Sequence, residues 1–283
     1  MSFDIRTWPL FTEQQASSEP YGHTIRNMKL REFYTCGFVI YRCAYSDDDL
    51  WSRMIEKIRT ETLERLDKCG RAELLGPLIS WTVIEDREAL DNASIKKVQE
   101  RFLKWAEDVS DERDGPGAVK AAFMCPRYNF CVMIDQKCLD SLAAHEKEAA
   151  AVAAAGQQRL LRGNSLPVFV IFIRIEKPMP AWMLAEQASE QASWRLASTT
   201  LVDSSSQVQT DDTGEDQVED GEDVDEEVFE DEDENEEWMY VETYLLMSMY
   251  ETCHSPSSYW NYYVRQPQIY ARGEVKWTGM AYP

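Results

Sequence analysis

The chain has 283 residues and 44% hydrophobic content, enough to bury a sizeable core in one large domain or two small ones. Its formal charge of −22 is local, because no Lys or Arg falls between Leu196 and Val264 while 18 of the 27 residues from Asp211 to Glu237 are acids. With Asp203, Glu242 and Glu251 that window holds 21 acids, which leaves 30 (51 less 21) against all 29 bases, a body without the excess positive charge that nucleic-acid binding requires.

Residues 1–32 read as an N-terminal extension, with no basic region leading into an apolar stretch and hence no secretory signal. The longest apolar run, Pro167 to Ile173, is far short of a membrane span. The expected location is therefore cytoplasmic or nuclear, not secreted, with no membrane partner. Seven cysteines, an odd number with no C-x-x-C pair, read as reduced, buried thiols acting as small apolar side chains.

The main α+β block is expected over 33–180. Phe33 to Ala44 reads as a strand whose alternating sets are both apolar, so it should be covered on both faces. Ser46-Asp-Asp-Asp49 supplies a capping-box pattern for a helix to about Lys68, striped by Leu50, Trp51, Met54, Ile55, Ile58, Leu63 and Leu66. A short strand, Trp81 to Ile84, leads into Glu85-Asp86-Arg87-Glu88. Ser94 can cap the next helix, where Ile95, Val98, Phe102, Trp105 and Val109 repeat at helical spacing. Asp111 to Gly117 reads as an exposed loop. Arg127 to Ile134 is a second buried strand, followed by a helix that Asp135 can cap and that ends near Gly156. Val168 to Ile175 is the strongest strand by composition.

From Ala181 the composition shifts. A tandem repeat, Glu186-Gln-Ala-Ser189 and Glu190-Gln-Ala-Ser193, precedes a Ser/Thr/Gln stretch and then the acidic run. Residues 181–237 read as a low-complexity, disordered insertion, since self-repelling acids with little to bury do not offset the ordering entropy. Residues 238–283, with eleven aromatics, are expected to complete the same domain. Within them, Trp238 to Tyr250 reads as a strand and helical turn, and Tyr259 to Val264 as another strand. The expected fold is α+β, a mixed or antiparallel sheet with helices packed on it, ferredoxin-like in spirit. A parallel α/β sheet is the alternative.

Three segments carry a resemblance: Tyr34 to Trp51, Trp81-Thr-Val-Ile-Glu-Asp-Arg-Glu-Ala-Leu-Asp91, and Arg127-Tyr-Asn-Phe-Cys-Val-Met-Ile-Asp135. Together they resemble a family of uncharacterised fungal (ascomycete-type) cytosolic proteins. The resemblance covers about Tyr34 to Asp135, and it implies no activity and no catalytic residue.

No phosphate loop, dinucleotide fingerprint or helical zinc-protease spacing is present, so neither a metal nor a cofactor is expected. His23, His145 and His254 are widely separated. Glu85 and Asp86, at a strand end, are the candidate catalytic carboxylates, weighed against a plain helix-starting turn balanced by Arg87. Tyr259 to Tyr263 is weighed as a stacking platform against a two-sided core strand. Asp231, Glu232, Asp233, Glu234, Glu236 and Glu237 are the candidate interaction residues, with basic protein surfaces as the partner and no direct nucleic acid. The expected function is that of a non-enzymatic interaction or scaffolding protein. An enzyme with a site near Glu85 and Asp86 is the alternative.

Overall fold

Val39–Arg42 forms β1, and all four of its residues are buried, as two apolar faces demand. The computed structural model describes residues 4–154, 166–175, 237–254 and 256–271, with the backbone alone for 256–258. The tandem repeat and the acidic run as far as Glu236 lie outside the described residues, as does the helix end expected near Gly156.

Around β1 the described elements run α1 (Glu13–Ser18), α2 (Gly22–Arg31), α3 (Asp48–Lys68), α4 (Ala72–Leu75), β2 (Thr82–Ile84), α5 (Arg87–Leu90) and α6 (Ile95–Glu107). They continue with α7 (Asp111–Asp114), α8 (Ala118–Ala121), β3 (Phe130–Ile134), α9 (Gln136–Ala154) and β4 (Phe169–Arg174). The last are β5 (Trp238–Glu242), α10 (Leu246–Thr252) and β6 (Ile269–Tyr270).

The six strands make one sheet in the order β2-β1-β3-β4-β5-β6. β1 runs parallel to β2 and β3, with Ile40 opposite Val83 on one side and Val132 on the other. β4 is antiparallel to both β3 and β5, and β6 runs parallel to β5. The fold is thus α+β with a mixed sheet, and an α/β reading describes only its β2-β1-β3 half. Successive strand residues point to opposite faces. Tyr41 packs edge-on to Phe102 of α6 at 6.4 Å, whereas Arg42 lies 5.0 Å from the Trp51 ring of α3, so these helices cover opposite faces.

The helix starts follow local chemistry. Ser94 and Asp135 accept the backbone N–H of Lys97 (3.3 Å) and Cys138 (2.9 Å). α3 is capped by Asp47 through Leu50 N at 2.8 Å, while Ser46 bonds to Gln136 at the start of α9. Residues 13–31, read as part of an extension, supply α1 and α2, and Ile25 is fully buried. Glu251 of α10 accepts the N–H groups of His23 and Thr24, each at 2.9 Å, at the start of α2.

Four segments differ from the sequence reading. Phe33 to Phe38, read as strand, precedes β1 and pairs only through a single bridge at Cys36, and Arg127 to Asn129, read as the start of a strand, lies in and just after a 3₁₀ turn, Pro126–Tyr128, ahead of β3. Asp111 to Gly117 is not simply an exposed loop: Ser110 caps the one-turn helix α7, and the Asp114 side chain is buried. Tyr259 to Val264 is not a strand but continues a 3₁₀ turn, Pro256–Asn261, and the paired strand comes later as β6. Tyr259 is instead buried against the Phe130 and Phe172 rings, tilted to the first and stacked on the second, and the bond from Tyr262 N to Tyr259 O at 3.0 Å closes the turn.

Just before β1, Gly37 adopts φ +107°, and a Cβ there would meet Ser80 O at 2.9 Å. Positive φ and close backbone approach together require glycine. Gly37→Ala is expected to lower stability by about 1–3 kcal/mol in urea unfolding. A variant as stable as the parent would contradict that packing.

Candidate functional site

The amino ends of β1, β2 and β3 are joined by one side chain. Arg127 sits in a 3₁₀ turn, Pro126–Tyr128, immediately before β3, and is 4% exposed. Its Nη1 donates to Gly37 O (3.0 Å) and Ser80 O (2.8 Å), and its Nη2 donates to Thr82 Oγ1 (2.6 Å). All three acceptors are neutral. Among the described residues no carboxylate forms an ion pair with Arg127, and its Nε is enclosed without an acceptor. A buried cation with spare donors and no counter-charge is costly, so a group of this kind calls for a reason beyond packing.

Arg127 lines a cavity of about 300 Å³ together with Tyr34, Thr35, Pro77, Leu78, Ile79, Ser80, Thr82, Trp105, Arg113 and Asp114. Trp105 of α6 forms one wall, stacked between Phe102 (5.8 Å) and Tyr128 (5.5 Å). Two guanidiniums flank its ring, Arg113 at 4.3 Å and Arg127 at 5.6 Å. Arg113 donates through Nη1 to Trp105 O (2.8 Å), and Nε and Nη2 engage Asp114 Oδ2 at 2.9 and 2.7 Å. The cavity therefore carries two cations and one carboxylate, and the carboxylate already belongs to Arg113. Chemically, such a site accepts an anion.

The sequence-predicted carboxylates lie at the opposite, carboxyl end of these strands and do not line this cavity. Glu85 accepts Trp51 Nε1 at 2.9 Å and stands 3.7 Å from Arg42, which is itself buried between Tyr45 and Trp51 and paired with Asp48. Asp86 caps α5 through Ala89 N (3.2 Å) and pairs with Arg101 (2.8 Å). Both are occupied in holding the strand end. Of the acidic candidates, Asp231, Glu232, Asp233, Glu234 and Glu236 lie outside the described residues. Glu237 accepts Gln99 Nε2 at 2.7 Å, and its carbonyl accepts Arg174 N at 2.7 Å.

In the aromatic segment, Trp260 is 43% exposed under the Arg174 guanidinium at 5.1 Å, while Tyr259 is fully buried. The segment does not present one continuous stacking face.

Nucleophilic and acid–base chemistry find little support. Burial raises the thiol pKa at Cys36, Cys125, Cys131, Cys138 and Cys253, and pushes that of Cys43 up to about 12, so these remain protonated. His254 lines a void of about 10 Å³, room for about one water rather than a substrate. Its Nε2 meets Thr24 Oγ1 at 3.1 Å, and Thr24 Oγ1 donates to Glu251 at 2.6 Å. Burial, aided by Arg31 and His23, lowers the His254 pKa to about 3. Burial also raises the Glu251 carboxyl, partly offset by its bonds from Thr24 and His23.

Sequence reasoning did not single out Arg113, Asp114 or Arg127, although Arg127 stands at the head of an entirely apolar strand. Comparison with protein-family models, with curated proteins and with solved structures returns no match.

His254 gives a signed prediction. The unfolded chain takes up a proton near the ordinary histidine pKa and the folded chain does not until about pH 3, so stability falls as pH drops through that window. Between about pH 7 and 5 the parent is expected to lose ~2 kcal/mol more than His254→Asn in urea unfolding. Parallel pH profiles would show that His254 titrates normally. The raised Glu251 acts in the opposite sense and is common to both proteins.

Proposed function

We propose that this is a non-enzymatic intracellular interaction or scaffolding protein whose folded block binds a small anionic ligand in the Arg127 cavity. The observation carrying the reading is the buried Arg127 guanidinium, which has only neutral acceptors and lines a cavity of about 300 Å³. That volume is at the lower end for small-molecule sites, so the ligand is small. The absence of catalysis is supported by the structural engagement of Glu85 and Asp86 and by thiols held protonated. Among the described residues no helix is long and apolar enough to cross a membrane, in keeping with a cytoplasmic or nuclear setting.

The acidic run supplies the second half of the reading. With 18 acids between Asp211 and Glu237 and no base from Leu196 to Val264, it attracts basic protein surfaces over a Debye length and repels nucleic acid.

Thermal unfolding of the full chain with small carboxylates and phosphates at constant ionic strength tests the ligand reading. A saturating rise in Tm is expected, corresponding to about 2.7 kcal/mol at a hundredfold excess over Kd. Neutral amides should have no such effect. No rise with any anion, or the same rise in Arg127→Gln, would refute the assignment. For the acidic run, deleting 204–234 should remove basic proteins from an affinity pull-down, and an unchanged set would end that role.

A further inference from the structure

We infer that His254 makes the docking of α2 on α10 sensitive to acid, because the helix stays docked only while that imidazole is neutral. Glu251 of α10 receives three donors at the amino end of α2. They are the N–H groups of His23 and Thr24, each at 2.9 Å, and the Thr24 hydroxyl at 2.6 Å. A carboxylate only accepts, so the single hydroxyl hydrogen of Thr24 goes to Glu251. In the contact between Thr24 Oγ1 and His254 Nε2, 3.1 Å long, the imidazole is then the donor. Neutral His254 is thereby the Nε2–H tautomer, and Nδ1 is the one place left for a second proton. That nitrogen is enclosed without a hydrogen-bond partner. A proton there would be a buried donor with no acceptor, on a buried cation, and undocking relieves both.

Among the described residues, no neighbouring element brings a carboxylate against the ring. His23 and Arg31 of α2 both oppose a second positive charge on His254. His23 and Arg26 stand 3.5 and 3.4 Å from Glu13 of α1. Arg65 of α3, which also packs on α10, lies against Tyr21 and Tyr244. The Cys125 thiol contacts the Tyr250 hydroxyl at 3.2 Å, and burial keeps Cys125 and Cys253 protonated. Glu251 belongs to the same network, but Thr24 Oγ1 stands between it and the ring.

The undocked imidazole takes up its proton near the ordinary histidine pKa and the docked one near 3, so docking weakens as pH falls from 7 to 5. Asn27, Met28 and Arg31 of α2 line the void beside His254 together with Met124, Cys125 and Tyr250. Loosening α2 therefore uncovers an apolar face in acid.

Amide hydrogen exchange of the full chain at about pH 7 and 5, corrected for the intrinsic pH dependence of exchange, tests this. Protection from Ile25 to Arg31 is expected to fall about twentyfold more in the parent than in His254→Gln, whose amide can bond Thr24 but does not titrate. Glu251 titrates in the opposite sense and is common to both proteins. The α2 amides should also exchange through an opening smaller than global unfolding, with lower protection and a weaker urea dependence than those of β3. Equal falls in parent and variant would overturn the role of His254. Equal protection and urea dependence in α2 and β3 would overturn the local opening. The imidazole nitrogen shifts of the parent keep the test open should the variant fail to fold. A neutral Nε2–H tautomer at both pH values is expected, and an imidazolium or an Nδ1–H tautomer in the folded protein would overturn the inference.

Discussion

Arg127 is the point on which three strands converge. The Gly37 and Ser80 carbonyls lie just outside the parallel ladders, and a single guanidinium takes both at 2.8–3.0 Å while bonding the Thr82 hydroxyl. Buried carbonyls without donors cost free energy, so the cation repays part of its own desolvation by satisfying them. It does not repay all of it, because the acceptors are dipoles rather than charges. The charge left over is what turns a structural staple into a receptive wall, and Trp105 and Arg113 build the rest of the cavity around it.

The two ends of the parallel strands have consequently divided their tasks. In open sheets with parallel strands, ligands usually meet the carboxyl ends. Here the described side chains at that end are engaged with one another: Arg42 lies between Tyr45 and Trp51, Glu85 holds the Trp51 indole, and Ser46, after β1, bonds to Gln136, after β3. The carboxylates that chemistry would seek are committed to the fold. The amino end, bounded by Gly37, Ser80 and Arg127, retains both open volume and unneutralised charge.

Much of the fold was legible in the sequence where one physical signal dominated. The two-sided apolar runs of β1, β3 and β4, the stripe of α6 and the caps at Ser94 and Asp135 are local facts, and the structure carries them. Tyr259 to Val264 misled because aromatic density reads the same for a strand and for a turn that plugs a core, and only burial of Tyr259 beneath the sheet distinguishes them. Asp111 to Gly117 misled because glycines and acids report exposure on average, whereas Asp114 is drawn inward by its neighbour Arg113. The cavity was not legible. Its charge comes from residues on α7 and before β3, its hydroxyls from near β1 and β2, and no spacing in the chain brings these together.

Nuclear magnetic resonance of the arginine Nε–H groups in the full chain tests the central claim most directly. The account predicts one resonance, protected from exchange and missing in Arg127→Gln, that moves on addition of butanoate and stays fixed with butanamide. A protected Arg127 resonance that no anion moves would contradict it, and would leave Arg127 as a staple of three strands and nothing more.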